Sequence, residues 1–320
     1  MRFIIAAFAV FLTTASAISQ EFPQRPRPIT LVVGFGAGGG ADVNARIFGE
    51  VLSRNLNVPV VVENKTGAGG AIAAGYVQRA APDGHTLLVM SGLQHAYIAA
   101  AQSTAQYEPI NGFAPVGTFF DMISVLSVPY NHPANTIDEF VARGRTKPEG
   151  VLLGSPGLGS PPHIFGVLMR EATGLKIETV QYRGSSDFMS DLSSSRLDFA
   201  FPTWGVAQSF IGNKKTKALA VAADKRWSEL PNVPTLTEAK IVKDMPAMWF
   251  AVLAPAGTPP AIVEKINAAF QQAGKDPELI RKINASGMEV RMSSPQELRE
   301  LMVAEQKKMT DIVQRYNLKQ

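Results

Sequence analysis

Short apolar runs alternate along this chain with stretches in which apolar residues recur at helical spacing. The runs at Ile29–Val33, 59–63 and 86–90 are bounded by Gly, Pro or Asn, as buried strands are. Between them, 41–56 and 70–80 read as helices. The order β-α-β-α-β predicts a parallel sheet with right-handed crossovers. Each strand runs into a small-residue loop, at 34–40, 64–70 and 91–95. In open α/β sheets ligands sit at these carboxyl ends.

A second unit follows the apolar stretch 122–128. Strands are expected at 151–153, 179–182, 197–201 and 218–222, and helices near 163–172, 186–194 and 205–211. Thr136–Glu139 and Thr235–Glu238 match the capping-box pattern. Small-residue loops again close the strands, at 154–160, 183–186 and 202–204. A return strand at 249–253 leads to a helix over Pro260–Ala273, opened by Thr258 as N-cap and Pro259. A last helix follows, opened by the box Ser294-Pro295-Gln296-Glu297. The stripes Ile262, Ile266, Phe270 and Leu298, Leu301, Met302, Met309, Ile312 are core faces, and these helices are expected to pack back on the first unit.

Length supports this division, because 320 residues exceed one typical domain. The first residues stand apart: Arg2, an apolar run over 3–12, then Ala15-Ser16-Ala17, the pattern of a signal peptide cut after Ala17. The run is about half the length a membrane span needs. Cleavage removes only Arg2 from the 31 Lys+Arg that face 27 Asp+Glu, and no Lys/Arg run exceeds a pair, so no nucleic-acid surface is expected. With no cysteine, disulfides and thiolate metal sites are excluded. Without a twin-arginine pair, export delivers an unfolded chain, and no cofactor or metal is expected.

The loop Gly34-Phe35-Gly36-Ala37-Gly38-Gly39-Gly40 carries the candidate chemistry. A glycine-rich turn entering a helix offers unpaired N–H groups to an anion. Its spacing also fits a dinucleotide fingerprint, with Glu63 ending the next strand where a ribose-binding acid belongs, so an oxidoreductase stays open at this level. Hydrolase motifs are missing. Of the four histidines, His85 and His132 sit in turns, where solvated roles are expected. His95 and His163 follow candidate ligand loops, with capping or a buried hydrogen bond the expected role. The reading that uses both units is a binder: two α/β lobes clasping a small anion across a cleft with backbone N–H groups, hydroxyls and waters.

The motifs Ile29-Thr30-Leu31-Val32-Val33-x-Phe35, Gly38-Gly39-Gly40-x-Asp42, Pro59-Val60-Val61-Val62-Glu63-Asn64, Gly67-Ala68-Gly69-Gly70 and Ala81-Pro82-Asp83-Gly84-x-Thr86-Leu87-Leu88 occur in order. They continue through Gly157-x-Gly159-Ser160, Tyr182-Arg183-Gly184, Pro231-x-Val233-Pro234-Thr235 and Leu253-Ala254-Pro255-Ala256-Gly257-Thr258-Pro259. This series resembles the Bug receptors, the TctC-like extracytoplasmic solute-binding proteins of tripartite tricarboxylate transporters. The resemblance implies a two-lobed α/β periplasmic-binding-protein fold, type II-like, with lobes at 18–124 plus 246–320 and at 125–245, hinged near 124–130 and 245–250. It implies a periplasmic monomer that captures a mono- or dicarboxylate, aromatic ones included, and delivers it to membrane subunits. A sensor role is the alternative within the same family.

The expected ligand-binding residues are Phe35, Gly36, Ala37, Gly38, Gly39 and Gly40 on one wall, with Gly69, Ser91 and Gln94 from the neighbouring loops. Ser155, Gly157, Gly159, Ser160 and His163 face them, with Tyr182, Arg183, Gly184, Thr203 and Trp204. Three departures from the family pattern bear on specificity. Gly34, Gly36 and Ala37 stand where the family often has prolines, which predicts a less preorganised loop. Ala41 stands where a Thr or Ser commonly precedes Asp42, which removes one hydroxyl, and Phe201-Pro202-Thr203 stands for Phe-Asp-Asn, with Trp204, Phe201 and Tyr97 predicting an aromatic cleft.

Overall fold

The strand-helix alternation closes into two sheets. The computed structural model describes residues 22–101, 107–156, 160–182, 185–223, 225–243, 245–246, 248–316 and 318; the expected signal peptide lies outside them. The first lobe begins β1 (Ile29–Val33), α1 (Gly40–Leu56), β2 (Val60–Asn64), α2 (Ala71–Gln78), β3 (Thr86–Ser91), α3 (Gly92–Ala101) and β4 (Phe113–Met122). After a single residue, Ile123, the chain enters the second lobe at β5 (Ser124–Pro129). There follow α4 (Ile137–Arg145), β6 (Val151–Ser155), α5 (Pro161–Thr173), β7 (Ile177–Gln181), α6 (Ser185–Ser193), β8 (Phe199–Ala200), α7 (Trp204–Gly212) and β9 (Thr216–Ala222). The chain returns through β10 (Trp249–Pro255), α8 (Pro260–Ala273), α9 (Pro277–Ala285), β11 (Met288–Val290) and α10 (Pro295–Arg315).

The first sheet has the order β11-β4-β10-β3-β1-β2, the second β7-β6-β8-β5-β9. β1 lies parallel between β2 and β3, pairing Leu31 with Val62 and with Leu87. It is buried on both faces, which explains its unbroken apolar run. Its side chains divide by the strand period. Leu31 and Val33 enter a core with Phe48 of α1 and Ile266 and Phe270 of α8, while Val32 enters one with α2, Trp249 and Leu298 of α10.

Several expectations need correction. Residues 91–95 form no loop, because β3 ends at Ser91 and α3 starts at Gly92. Thr258 is not the N-cap of α8; Pro259 is, and the Thr258 hydroxyl donates to the Pro255 carbonyl at 2.8 Å. The box at Thr235 and Glu238 is reciprocal, at 2.9 Å each way, but closes only a turn. Thr136 caps α4 through the Glu139 N–H, whereas the Glu139 carboxylate reaches back to Asn135. α10 does not belong to the first lobe alone: Leu298 and Met302 enter a first-lobe core, but Met309, Ile312 and Val313 join the second lobe's core, as do Leu93, Ala96 and Tyr97 of α3. His85 is buried, with Nδ1 donating to the Pro28 carbonyl and Nε2 accepting from the Gln24 N–H, each at 3.0 Å, so it ties down the segment before β1.

Candidate functional site

The loop after β1 reaches α1 through Gly39, an N-cap with no side-chain oxygen to offer. Two of the loop's donors are used locally: Gly38 N–H donates to Asp42 at 2.9 Å and Gly39 N–H to the Gly36 carbonyl at 3.2 Å. The N–H groups of Gly40 and Ala41, in the first helical turn, have no intrahelical acceptor and no capping side chain. The macrodipole adds partial positive charge there.

Asp42 organises this wall. Its carboxylate accepts from Gly38, from Arg46 one turn on, and from Asn64 at the end of β2; Asn64 also donates to the Phe35 carbonyl at 3.0 Å. Burial disfavours the charged form, but hydrogen bonds from Arg46, Gly38 and Asn64 outweigh it and hold the carboxyl below its usual range. The loop is therefore braced by side chains.

The facing wall is built differently. α5 starts at Ser160, also without a side-chain cap, but its first two helical residues are Pro161 and Pro162, which carry no N–H. Only His163 is left as a backbone donor in that part of the turn. Ser155 is fully buried, and its hydroxyl meets that of Ser160 at 2.9 Å. The Tyr182 hydroxyl donates to Asp191 within its own lobe at 2.8 Å; burial, with Asp191 beside it, pushes the phenol up to about 12. Gly157, Gly159, Arg183 and Gly184 lie outside the described residues.

Between the walls lies a cleft of about 450 Å³. From the first lobe Phe35, Gly36, Ala37, Gly39, Gly40, Ser91 and Gln94 line it, as expected from sequence, together with Ala41, Met122, Met248 and Phe250, which sequence reasoning missed. The second lobe contributes Ser124, Pro156, Pro161, Pro162 and Thr203. No lining residue among those described is charged. The Ser91 hydroxyl is buried and has no hydrogen-bond partner among the described residues.

Other expected site residues sit elsewhere. Gly38 is turned to Asp42, and Gly69 lines a separate cavity of about 20 Å³ that shares Phe35, Ser91 and Gln94 with the cleft. That cavity also touches His95, whose ring bonds the Pro109 carbonyl and the Tyr107 hydroxyl. Burial pushes the His95 pKa down to about 4, so it stays neutral. Ser155, Ser160, His163 and Tyr182 do not line the cleft. His163 is buried, and burial with Arg170 nearby lowers its pKa.

Trp204 is the clearest correction. Its indole packs with Ile123, Val125, Val221 and Trp227, and its Nε1 donates to Glu229 at 3.1 Å. Phe201 and Tyr97 are core residues as well. The aromatic surface of the cleft comes instead from Phe35 and Phe250, ring centroids 5.8 Å apart, with Phe250 stacked on Phe120 at 4.7 Å.

The lobes also touch beside the cleft. A methyl on Gly205, at the start of α7, would lie 2.3 Å from the Ser286 carbonyl oxygen; one on Gly287, which has φ +78°, would lie 2.2 Å from the Gly205 nitrogen. Two glycines thus let the backbones of opposite lobes meet, and Lys225 bridges to Glu289 beside them at 2.8 Å.

Among the described residues no helix is long and apolar enough to cross a membrane. The model of the family described as tripartite tricarboxylate transporter family receptor, TctC, matches residues 44–318. A Pseudomonas sp. (strain P51) protein described as a UPF0065 protein in the tcbD-tcbE intergenic region is 32% identical over 320 residues, covering 99% of this chain and 95% of that one. An R. palustris protein solved with adipate superposes with a TM-score of 0.81 at 30% identity, covering 92% of this chain and 98% of that one. The periplasmic binding protein BugD gives a TM-score of 0.79 at 29% identity, covering 92% and 98%. The matched family is one of receptors and BugD is a periplasmic binding protein, which sets aside the dinucleotide enzyme suggested by the glycine spacing; Glu63 is paired with Lys65 at 2.6 Å. The fold, the cleft and the match over most of its length place this chain in the TctC family of receptors, to which the Bug proteins belong.

Proposed function

We propose that this receptor captures a small organic carboxylate outside the cytoplasm and presents it to the membrane subunits of a tripartite tricarboxylate transporter. The observation that carries the reading is the uncapped N-terminus of α1, whose Gly40 and Ala41 N–H groups open on a cleft with no charged side chain among its described lining residues. Backbone donors at a helix start suit a carboxylate, and the Ser91 hydroxyl and Gln94 amide stand beside them. The similarity to a protein solved with adipate supports the ligand class. In this reading residues 18–124 with 246–320 form one body, apart from the end of α10, which packs into the second lobe's core, and 125–245 form the other. The bodies close by a hinge near the two crossovers, and the receptor acts as a monomer.

The test is calorimetric titration of protein freed of bound ligand by unfolding and refolding, against a panel of mono- and dicarboxylates, with NAD for comparison. At least one carboxylate is expected to bind with Kd of about a micromolar or below and to raise the melting temperature. Binding of NAD with no heat from any carboxylate would overturn the reading.

A further inference from the structure

The two walls of the cleft differ in what they can do for a negative charge. The α1 wall offers the Gly40 and Ala41 N–H groups, and the Ser91 hydroxyl, buried and without a partner among the described residues, lies next to it. Across the cleft stand Ser124 and Thr203, which offer hydroxyls, and Pro156, Pro161 and Pro162. The prolines have no N–H, so the start of α5 cannot repeat what α1 provides. Between the walls the surface is Phe35, Phe250, Met122 and Met248, aromatic rings and thioethers that suit an apolar body.

From this asymmetry we infer that the preferred ligand is an amphiphilic monocarboxylate: one carboxylate at the start of α1 and a compact apolar body, a ring or a branched chain, against Phe35 and the prolines. The inference rests on the carboxylate-receptor reading above and narrows it. A second carboxylate would be desolvated among prolines, methionines and aromatic rings, with only the Ser124 and Thr203 hydroxyls to meet it and no charged partner among the described lining residues, and burial of a charge without a charged partner is strongly disfavoured. A volume of about 450 Å³ lies within the usual range for small-molecule sites and accommodates a substituted ring.

The experiment titrates the ligand-free receptor with phenylacetate, cyclohexylacetate, succinate, adipate and phenylacetamide. Phenylacetate or cyclohexylacetate binding at least about 30-fold more tightly than succinate or adipate is the expected result, with phenylacetamide at least about 30-fold weaker than phenylacetate. Phe35→Ala should weaken the ring-bearing acid about 10-fold. Thr203→Lys, which sets a cation on the far wall, should raise adipate affinity about 10-fold in the same fold. Succinate or adipate binding as tightly as the ring-bearing acids overturns the inference and leaves the carboxylate reading intact. Phenylacetamide binding as tightly as phenylacetate, or no binding by any acid, overturns both. Thermal unfolding of each variant shows whether a lost affinity is a lost fold.

Discussion

The starts of α1 and α5 occupy matching places in the two lobes, each following a parallel strand and a small-residue loop, yet they differ in function. α1 opens with glycine and alanine and keeps its N–H groups for the cleft; α5 opens with two prolines and has almost none to give. Bracing differs as well. The α1 loop is tied to the next strand through Asp42, Arg46 and Asn64, while Tyr182 of the second lobe, away from the cleft lining, is turned to Asp191 of its own lobe. Equivalent topology therefore does not mean equivalent chemistry. One wall offers backbone donors and the other prolines with the Ser124 and Thr203 hydroxyls, and the polarity of a two-lobed cleft follows from a few residues at helix starts.

Breaking the meeting of the walls should have the largest effect. Gly205→Ala puts a methyl against the Ser286 carbonyl, so the lobes cannot reach their present approach. On the proposed hinge closure, carboxylate affinity is expected to fall about 100-fold, as population shifts away from a state in which these backbones meet, with scattering showing a larger radius at saturating ligand. Unchanged affinity would mean that this contact is irrelevant to closure.

Next comes the brace. Asp42→Asn is expected to weaken binding roughly 10-fold and cost about 1–3 kcal/mol in urea unfolding, because the charged acceptor of Gly38, Arg46 and Asn64 is lost. Tyr182→Phe, in the second lobe and outside the cleft lining, should leave affinity within about 2-fold. Equal losses from the two variants would erase the contrast between the walls.

The smallest effect is expected from pH. Backbone amides do not titrate, Asp42 stays ionised because its pKa is lowered, His95, pushed to about 4, stays neutral, and burial lowers His163 as well. Affinity should change by less than about 2-fold between pH 6 and 8. It should fall only in strong acid, as Asp42 takes up a proton below the usual carboxylate range of about 4. Stability has its own window. The unfolded chain protonates His95 near 6.5 while the native fold resists to about 4, so stability is lost as pH falls between those values.

The parallel strands of the first lobe could be read because burial on both faces demands unbroken apolar runs, and the glycine loop because only small residues leave backbone donors exposed. Other elements were hidden by their composition. β4 carries Pro115 and Gly117, which read as loop residues; Pro115 is tolerated because the register with β10 shifts beside it. β11 is a three-residue edge strand with too little pattern to detect. α9 did leave a signal, since Asp276 before Pro277 is an N-cap that accepts from the Glu278 and Leu279 N–H groups. The apolar half of the cleft could not be read. Met122, Met248 and Phe250 lie at the crossovers in stretches indistinguishable from core, and only the folding of two distant segments together puts them beside Phe35. Trp204 misled for the converse reason: its place next to a ligand loop suggested the cleft, but its indole packs in a buried cluster with Ile123 and Trp227.

The claim that the start of α1 holds the carboxylate is tested most directly by amide NMR of the ¹⁵N-labelled receptor during titration with a bound carboxylate. The Gly40 and Ala41 amide protons should move downfield by the largest amounts in the spectrum, while His163, the first backbone donor of α5, moves little. Large shifts at His163 with Gly40 and Ala41 unmoved would contradict it and transfer the anion to the other wall.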